Sequence, residues 1–207
     1  MMNLSELNRE SLDLLNRITT VGAQNAALVL TKMIGIPVDV SFPDITVIKV
    51  EELLKSEENK NQLTGFVFCR FAGDVQGIAA LMLPRQSVIT VLESFYGRKI
   101  KSLNEMKEVD YSGVKEVGNI LIASFLNALS NTYNITAMPT VPDVAVDFLP
   151  SILQEFSLML LSEEKDNLVS FRTQLVNPKE DKAIFGSLLI FFEPEQTINA
   201  ILGEEKK

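Results

Sequence analysis

Hydrophobic and polar positions recur with two different periods along this chain. Over residues 4–34, and again over about 108–132, apolar residues return every three or four positions. That spacing predicts two long amphipathic helices. Each is followed by an extended segment, 36–49 and 135–147, and then by a short helical piece, 50-VEELLKSE-57 and 149-LPSILQEF-156. Two apolar strand-like runs joined by a turn come next, 63–72 with 75–83 and 167–176 with 183–192. Gly73-Asp74 and Asn177-Pro178 supply the turn signals. A closing helix is predicted after Pro84 and again after Pro194, because proline is tolerated in a first helical turn.

The same element order therefore occurs twice, and the residues repeat with it. Residues 13–47 align with 112–146 at an offset of 99, ending in Pro43-Asp44 and Pro142-Asp143. Farther on, 77-GIAALMLPRQSVITVL-92 parallels 186-GSLLIFFEPEQTINAIL-202, with Gly77 beside Gly186 and Pro84 beside Pro194. The larger offset there, near 110, places an insertion among the charged residues from Glu163 to Asp181. A duplication is expected: one domain over 1–207 made of two repeats, about 4–100 and 103–203. Three strands per half, many in hairpins, predict an α+β fold with pseudo-two-fold symmetry. Its sheet is expected to be six-stranded and mainly antiparallel, with the two long helices packed on it.

Composition narrows the chemistry. At 46% hydrophobic and 22% charged, the chain reads as a folded soluble protein. Its net charge of −8, spread along the sequence, argues against nucleic acid or an anionic membrane as the main partner. No apolar run approaches the roughly 20 residues of a membrane helix, and the N-terminus is too polar for a signal peptide, so a cytoplasmic location is expected. There is no histidine, which excludes histidine-based triads and the usual zinc sites. The single cysteine, Cys69, lies in the alternating run 66-FVFCRF-71 and reads as a buried strand thiol. No phosphate-cradling glycine loop is present. Catalysis would have to use carboxylates, amides, hydroxyls or groups that a partner supplies.

One helix face meets that restriction. At about 100° per residue with Ser112 at zero, Glu116 falls near 40° and Asn119 near −20°. Val114, Val117, Leu121 and Phe125 fall between roughly 140° and 220°, on the side to be buried. Gly113, Ile120 and Ala123 flank the polar stripe, and such small or apolar neighbours suit the close approach of another protein. A carboxylate and an amide at i and i+3 are also common on solvated faces, so spacing alone leaves a plain solvent-facing stripe as the alternative. As chemistry, glutamate can accept a cation or a proton, and asparagine can both donate to and accept from a water. Phosphoryl transfer relies on positioning and electrostatics, so an amide suffices to orient the attacking water.

The pattern 112-SGVKEVGN-119, followed by 22 residues and Pro142, resembles the signature of the CheC/CheX/FliY phosphatases. That signature runs Asp or Ser, three residues, Glu, two residues, Asn, 22 residues, Pro, and is matched by Ser112, Glu116, Asn119 and Pro142. Length, duplication and element order extend the resemblance over almost the whole chain. It implies a phosphatase acting on phosphorylated CheY or a related response regulator, whose aspartyl phosphate and bound Mg²⁺ form half of the active site. Asn119 would position the hydrolytic water and Glu116 would pair with the regulator's lysine. Ser112 and Pro142 would shape the site. No metal ligands of the protein's own are expected. Within the family the CheC branch fits best, with two halves of comparable length and no appended flagellar-switch domain expected.

The first repeat departs from the signature. Asp13, Arg17, Thr20 and Pro43 occupy the four positions, so the frame is kept and the catalytic pair is not. Arg17 would repel a lysine, and Thr20 is too short for a reaching amide. One working site, in the second repeat, is expected. The competing reading is a non-catalytic adaptor that binds the phosphorylated regulator or a CheD-like deamidase. CheD binding is allowed by the resemblance but located by no motif. A flagellar-switch component is a further, disfavoured reading.

Overall fold

The computed structural model describes residues 9–40, 44–48, 62–162, 168–177, 183–192 and 194–202. Period-two alternation sorts the strand side chains onto two faces of one sheet. In β3 (Leu63–Gly73) and β4 (Gly77–Pro84), Val67, Leu81 and Leu83 pack with Val117 and Leu121 of a long helix. Phe66, Ile78, Ala80 and Met82 point the other way, onto Ile152, Leu153 and Phe156 of another. Helices thus cover both faces of the central strands, which explains why β4 is a nearly continuous apolar run instead of an alternating one.

The first long helix, α1 (Arg9–Ile34), leads to β1 (Asp39–Val40) and β2 (Asp44–Ile48). After the β3–β4 hairpin comes α2 (Arg85–Tyr96), then a one-turn 3-10 segment at Leu103–Glu105. The second half follows the same order, with α3 (Glu108–Tyr133), β5 (Ala137–Pro139), β6 (Asp143–Phe148) and α4 (Leu149–Ser162). It closes with β7 (Leu168–Asn177), β8 (Ala183–Phe192) and α5 (Pro194–Leu202). The piece expected at 149–156 runs on to Ser162, since no glycine or proline follows Pro150 to stop it. The expected helical piece 50–57, Pro43 and both ends of the expected insertion, 163–167 and 178–181, lie outside the described residues. Among the described residues, no helix is long and apolar enough to cross a membrane.

Among the described residues the sheet contains eight strands where six were expected. They occupy six positions, in the order β1/β2, β7, β8, β4, β3, β5/β6, and every pairing is antiparallel. Each extended segment appears as two short strands against one long neighbour. In the second half the ladder on β3 is interrupted at Thr140–Pro142, where proline has no N–H to donate.

Symmetry and strand exchange follow from the register. Gly77 and Gly186 are 109 residues apart, and Ala80 pairs with Leu189, its own counterpart at that offset. The pseudo-two-fold axis therefore passes between these two residues. It also passes through the helix layer, where Asn25 Nδ2 donates to the carbonyl of Ser124 at 2.8 Å, across the 99-residue repeat offset. About this axis the halves exchange edges: β1 and β2 of the first pair with β7 of the second, and β5 and β6 pair with β3.

Cys69 lies in β3, 4% exposed, packed toward the long helices. Burial pushes its thiol up to about 11. At pH 8 only about one molecule in a thousand would carry the reactive thiolate. A disulfide reagent is expected to leave Cys69 essentially unmodified in the native protein and to titrate it fully in guanidinium. Fast labelling without denaturant would contradict this packing.

Candidate functional site

The polar stripe is carried by α3, whose first turn is fixed by a buried acid. Asp110, 2% exposed, accepts the backbone N–H of Lys107 through Oδ2 at 2.8 Å, closing the helix start. Its Oδ1 also receives Arg98 Nε at 3.2 Å, which ties the segment after α2 to the start of α3. Below this turn Val114, Val117, Leu121 and Phe125 are all buried, as their helical spacing predicts. The opposite face is thereby turned outward.

On that face Ser112 and Glu116 are exposed and Asn119 is half-buried. The Ser112 hydroxyl donates to the carbonyl of Glu108 at 3.1 Å, so it is turned back onto its own helix. Among the described residues, neither Glu116 nor Asn119 makes a side-chain hydrogen bond or ion pair. The carboxylate and the amide are free to meet an incoming group. Pro142 is buried in the corner between β5 and β6, and both strands lie against α3. That corner is held by Thr140, whose N–H donates to the carbonyl of Arg70 at 2.8 Å.

The first-repeat positions have a different disposition. Asp13 and Arg17 are exposed on α1, and Arg17 Nε donates to the Asp13 carbonyl at 3.3 Å. The Thr20 hydroxyl donates to the Asn16 carbonyl at 2.7 Å, so its one donor is engaged within the helix. Gly22 lies against Phe125 and Asn25 against Ser124, so α1 and α3 run antiparallel. Glu116 and Arg17 each lie eight residues before the axis contact, about 12 Å along the helix at 1.5 Å per residue. The two faces therefore point out at opposite ends of the helix pair, roughly 24 Å apart along it.

A feature that spacing did not single out borders the site. The ring of Tyr96, the last residue of α2, lies on Gly113, one turn before Glu116. A Cβ at position 113 would stand 2.8 Å from Tyr96 Cε2. Burial, followed by the neighbouring Glu116 carboxylate, pushes the Tyr96 phenol above its ordinary range. The signal in the sequence was Phe95-Tyr96 at the end of an otherwise amphipathic helix, but nothing local connects it to position 113. Among the described residues, no group of three or more histidine, cysteine, aspartate or glutamate side chains could hold a metal ion.

No family model matches the chain. It is 22% identical over 180 residues to the CheY-P phosphatase CheC of Bacillus subtilis (strain 168), covering 86% of each. The crystal structure of Thermotoga maritima FliY superposes with a TM-score of 0.65 at 14% identity, over 96% of this chain and 99% of that one. The CheX chain in the CheX–CheY–BeF3–Mg²⁺ complex from Borrelia burgdorferi gives a TM-score of 0.55 at 16% identity, over 83% of this chain and 95% of that one. These structures share the α+β fold described above.

Proposed function

We propose, from the premise that the curated relative and the structural neighbours all point to the CheC/CheX/FliY family, that this chain is a phosphatase acting on a phosphorylated CheY-like response regulator. The observation that carries the reading is the pair Glu116 and Asn119, unpartnered on the outward face of α3 and spaced as the signature requires. The Bacillus relative is named a CheY-P phosphatase, and the Borrelia relative is in complex with CheY. Both names support a regulator as the partner. The cytoplasmic setting expected from the sequence belongs to the same proposal.

In this reading the regulator carries the aspartyl phosphate, and Mg²⁺ supplied with it would neutralise charge on the transferring phosphoryl group. Asn119 enters next to the phosphate. Its amide oxygen accepts a hydrogen bond from the attacking water while its N–H₂ donates to a neighbouring oxygen, which aligns the water for in-line attack. Glu116 pairs with the regulator's lysine and sets the register between the two proteins. The work of both residues is positioning. The first-repeat face would not reproduce this: Arg17 carries the wrong charge for a lysine and the Thr20 hydroxyl is already engaged.

The test is the decay of an acetyl-phosphate-labelled regulator with Mg²⁺, alone, with this protein, and with Glu116→Ala/Asn119→Ala. Acceleration by the wild type and none by the double variant is the expected outcome. Thr20→Ala should turn over like the wild type. Binding to the regulator without any change in its decay rate would replace the enzyme reading with that of an adaptor.

A further inference from the structure

We infer that Tyr96 is a docking residue of this site, an aromatic anchor that packs on the incoming receiver domain beside the Glu116 contact. The inference rests on the function proposed above and adds a specificity-determining residue outside the signature.

Four observations converge on the tyrosine. First, its place is set by backbone geometry. Gly97 stops α2 in the left-handed conformation at φ 63°, and its N–H reaches the carbonyl of Glu93 at 3.0 Å. Arg98 N–H reaches the Leu92 carbonyl, also at 3.0 Å. The Arg98–Asp110 contact then ties that turn to the start of α3. Second, the ring fits a slot made by an absent side chain. Its Cε2, Cδ2 and Cζ would lie 2.8, 3.2 and 3.3 Å from a Cβ on Gly113, so one ring face rests directly on the helix backbone.

Third, part of the ring is open to solvent. Tyr96 is 44% exposed and Phe95 41%, and the two rings meet edge to face at 5.1 Å. Positions three apart on a helix are surface neighbours, so the ring over Gly113 borders Glu116. A half-packed tyrosine held in one place is the kind of side chain enriched at interface hot spots. A lysine drawn to Glu116 would also pass near the ring, where a cation is attracted to the aromatic face. Fourth, the glycine that opens the slot is present at this end of the helix pair and not at the other. The counterpart of Gly113 at the 99-residue offset is Leu14, whose side chain packs onto the core. The shelf thus accompanies the half that has Glu116 and Asn119, and is lacking where those positions are Arg17 and Thr20.

The experiment uses the full chain and a cognate receiver domain, with affinity read for the beryllofluoride-activated form and kcat and KM for the phosphorylated form. Tyr96→Ala is expected to raise Kd and KM about tenfold or more while kcat stays within about twofold. Tyr96→Phe should restore most of that loss. Gly113→Ala, which keeps the tyrosine but lifts its ring from the helix, should weaken binding as Tyr96→Ala does. Wild-type affinity and KM in Tyr96→Ala would overturn the inference and leave the ring as a cover for Gly113. A fall in kcat at unchanged KM would overturn it too, by placing the residue in the chemistry. Thermal melts of each variant separate loss of docking from loss of fold. If the wild type neither binds nor dephosphorylates the regulator, the proposed function fails first and takes this inference with it.

Discussion

Replacing Asn119 with alanine is expected to remove at least about 100-fold of the acceleration of regulator dephosphorylation, because it deletes the group proposed to align the water. The residue is half-buried on the outer side of α3 and contributes no side-chain hydrogen bond to the fold among the described residues. Stability should therefore change by no more than about 0.5 kcal/mol. Glu116→Ala should differ in kind: it removes the proposed charge-assisted contact, so KM should rise more than kcat falls. The two can be separated by following phosphate release at saturating and limiting regulator. An Asn119→Ala protein with wild-type kcat would sink the assignment of that residue, and the water-positioning role with it.

The largest expected effect on stability comes from the far side of the same helix. Phe125 is 1% exposed, and its ring occupies the α1–α3 contact so closely that a Cβ on Gly22 would lie 2.5 Å from Cδ2. The counterpart of Phe125 at the repeat offset is Ala26, also fully buried, so one large and one small residue fill the centre of the helix pair. Phe125→Ala would empty that centre, and Gly22 has no side chain with which to fill it. The expected cost is about 3–5 kcal/mol. For a chain of this size that corresponds to a fall of about 10 °C in Tm. Calorimetry on the wild type and the variant checks it; a fall of less than about 3 °C would mean that the helices collapse onto each other to refill the space. The protein that remains folded at low temperature should still turn over, since Phe125 points away from Glu116 and Asn119.

The sequence by itself determined the elements and the outward stripe. The helix period buries Val117 and Leu121 whatever they pack against, so Glu116 and Asn119 had to face outward once α3 formed. Alternation likewise placed Cys69 inside, and the repeat supplied the pseudo-symmetry before any contact was known. These are properties of local periodicity, legible within a window of a few turns.

The tertiary structure alone decided which strands are neighbours and what borders the site. Exchange of β1/β2 and β5/β6 between the halves is a choice among long-range pairings that alternate in the same way, and local pattern cannot rank them. The split of the second half's edge segment into β5 and β6 depends on where the ladder is broken, at Thr140–Pro142. Tyr96 reaches Gly113 because the Gly97 turn and the Asp110–Arg98 contact fold 17 residues of chain back on themselves, from 96 to 113. A missing side chain on one helix and an aromatic ring on another carry no shared signal along the sequence. They become one feature only when packing brings them into contact.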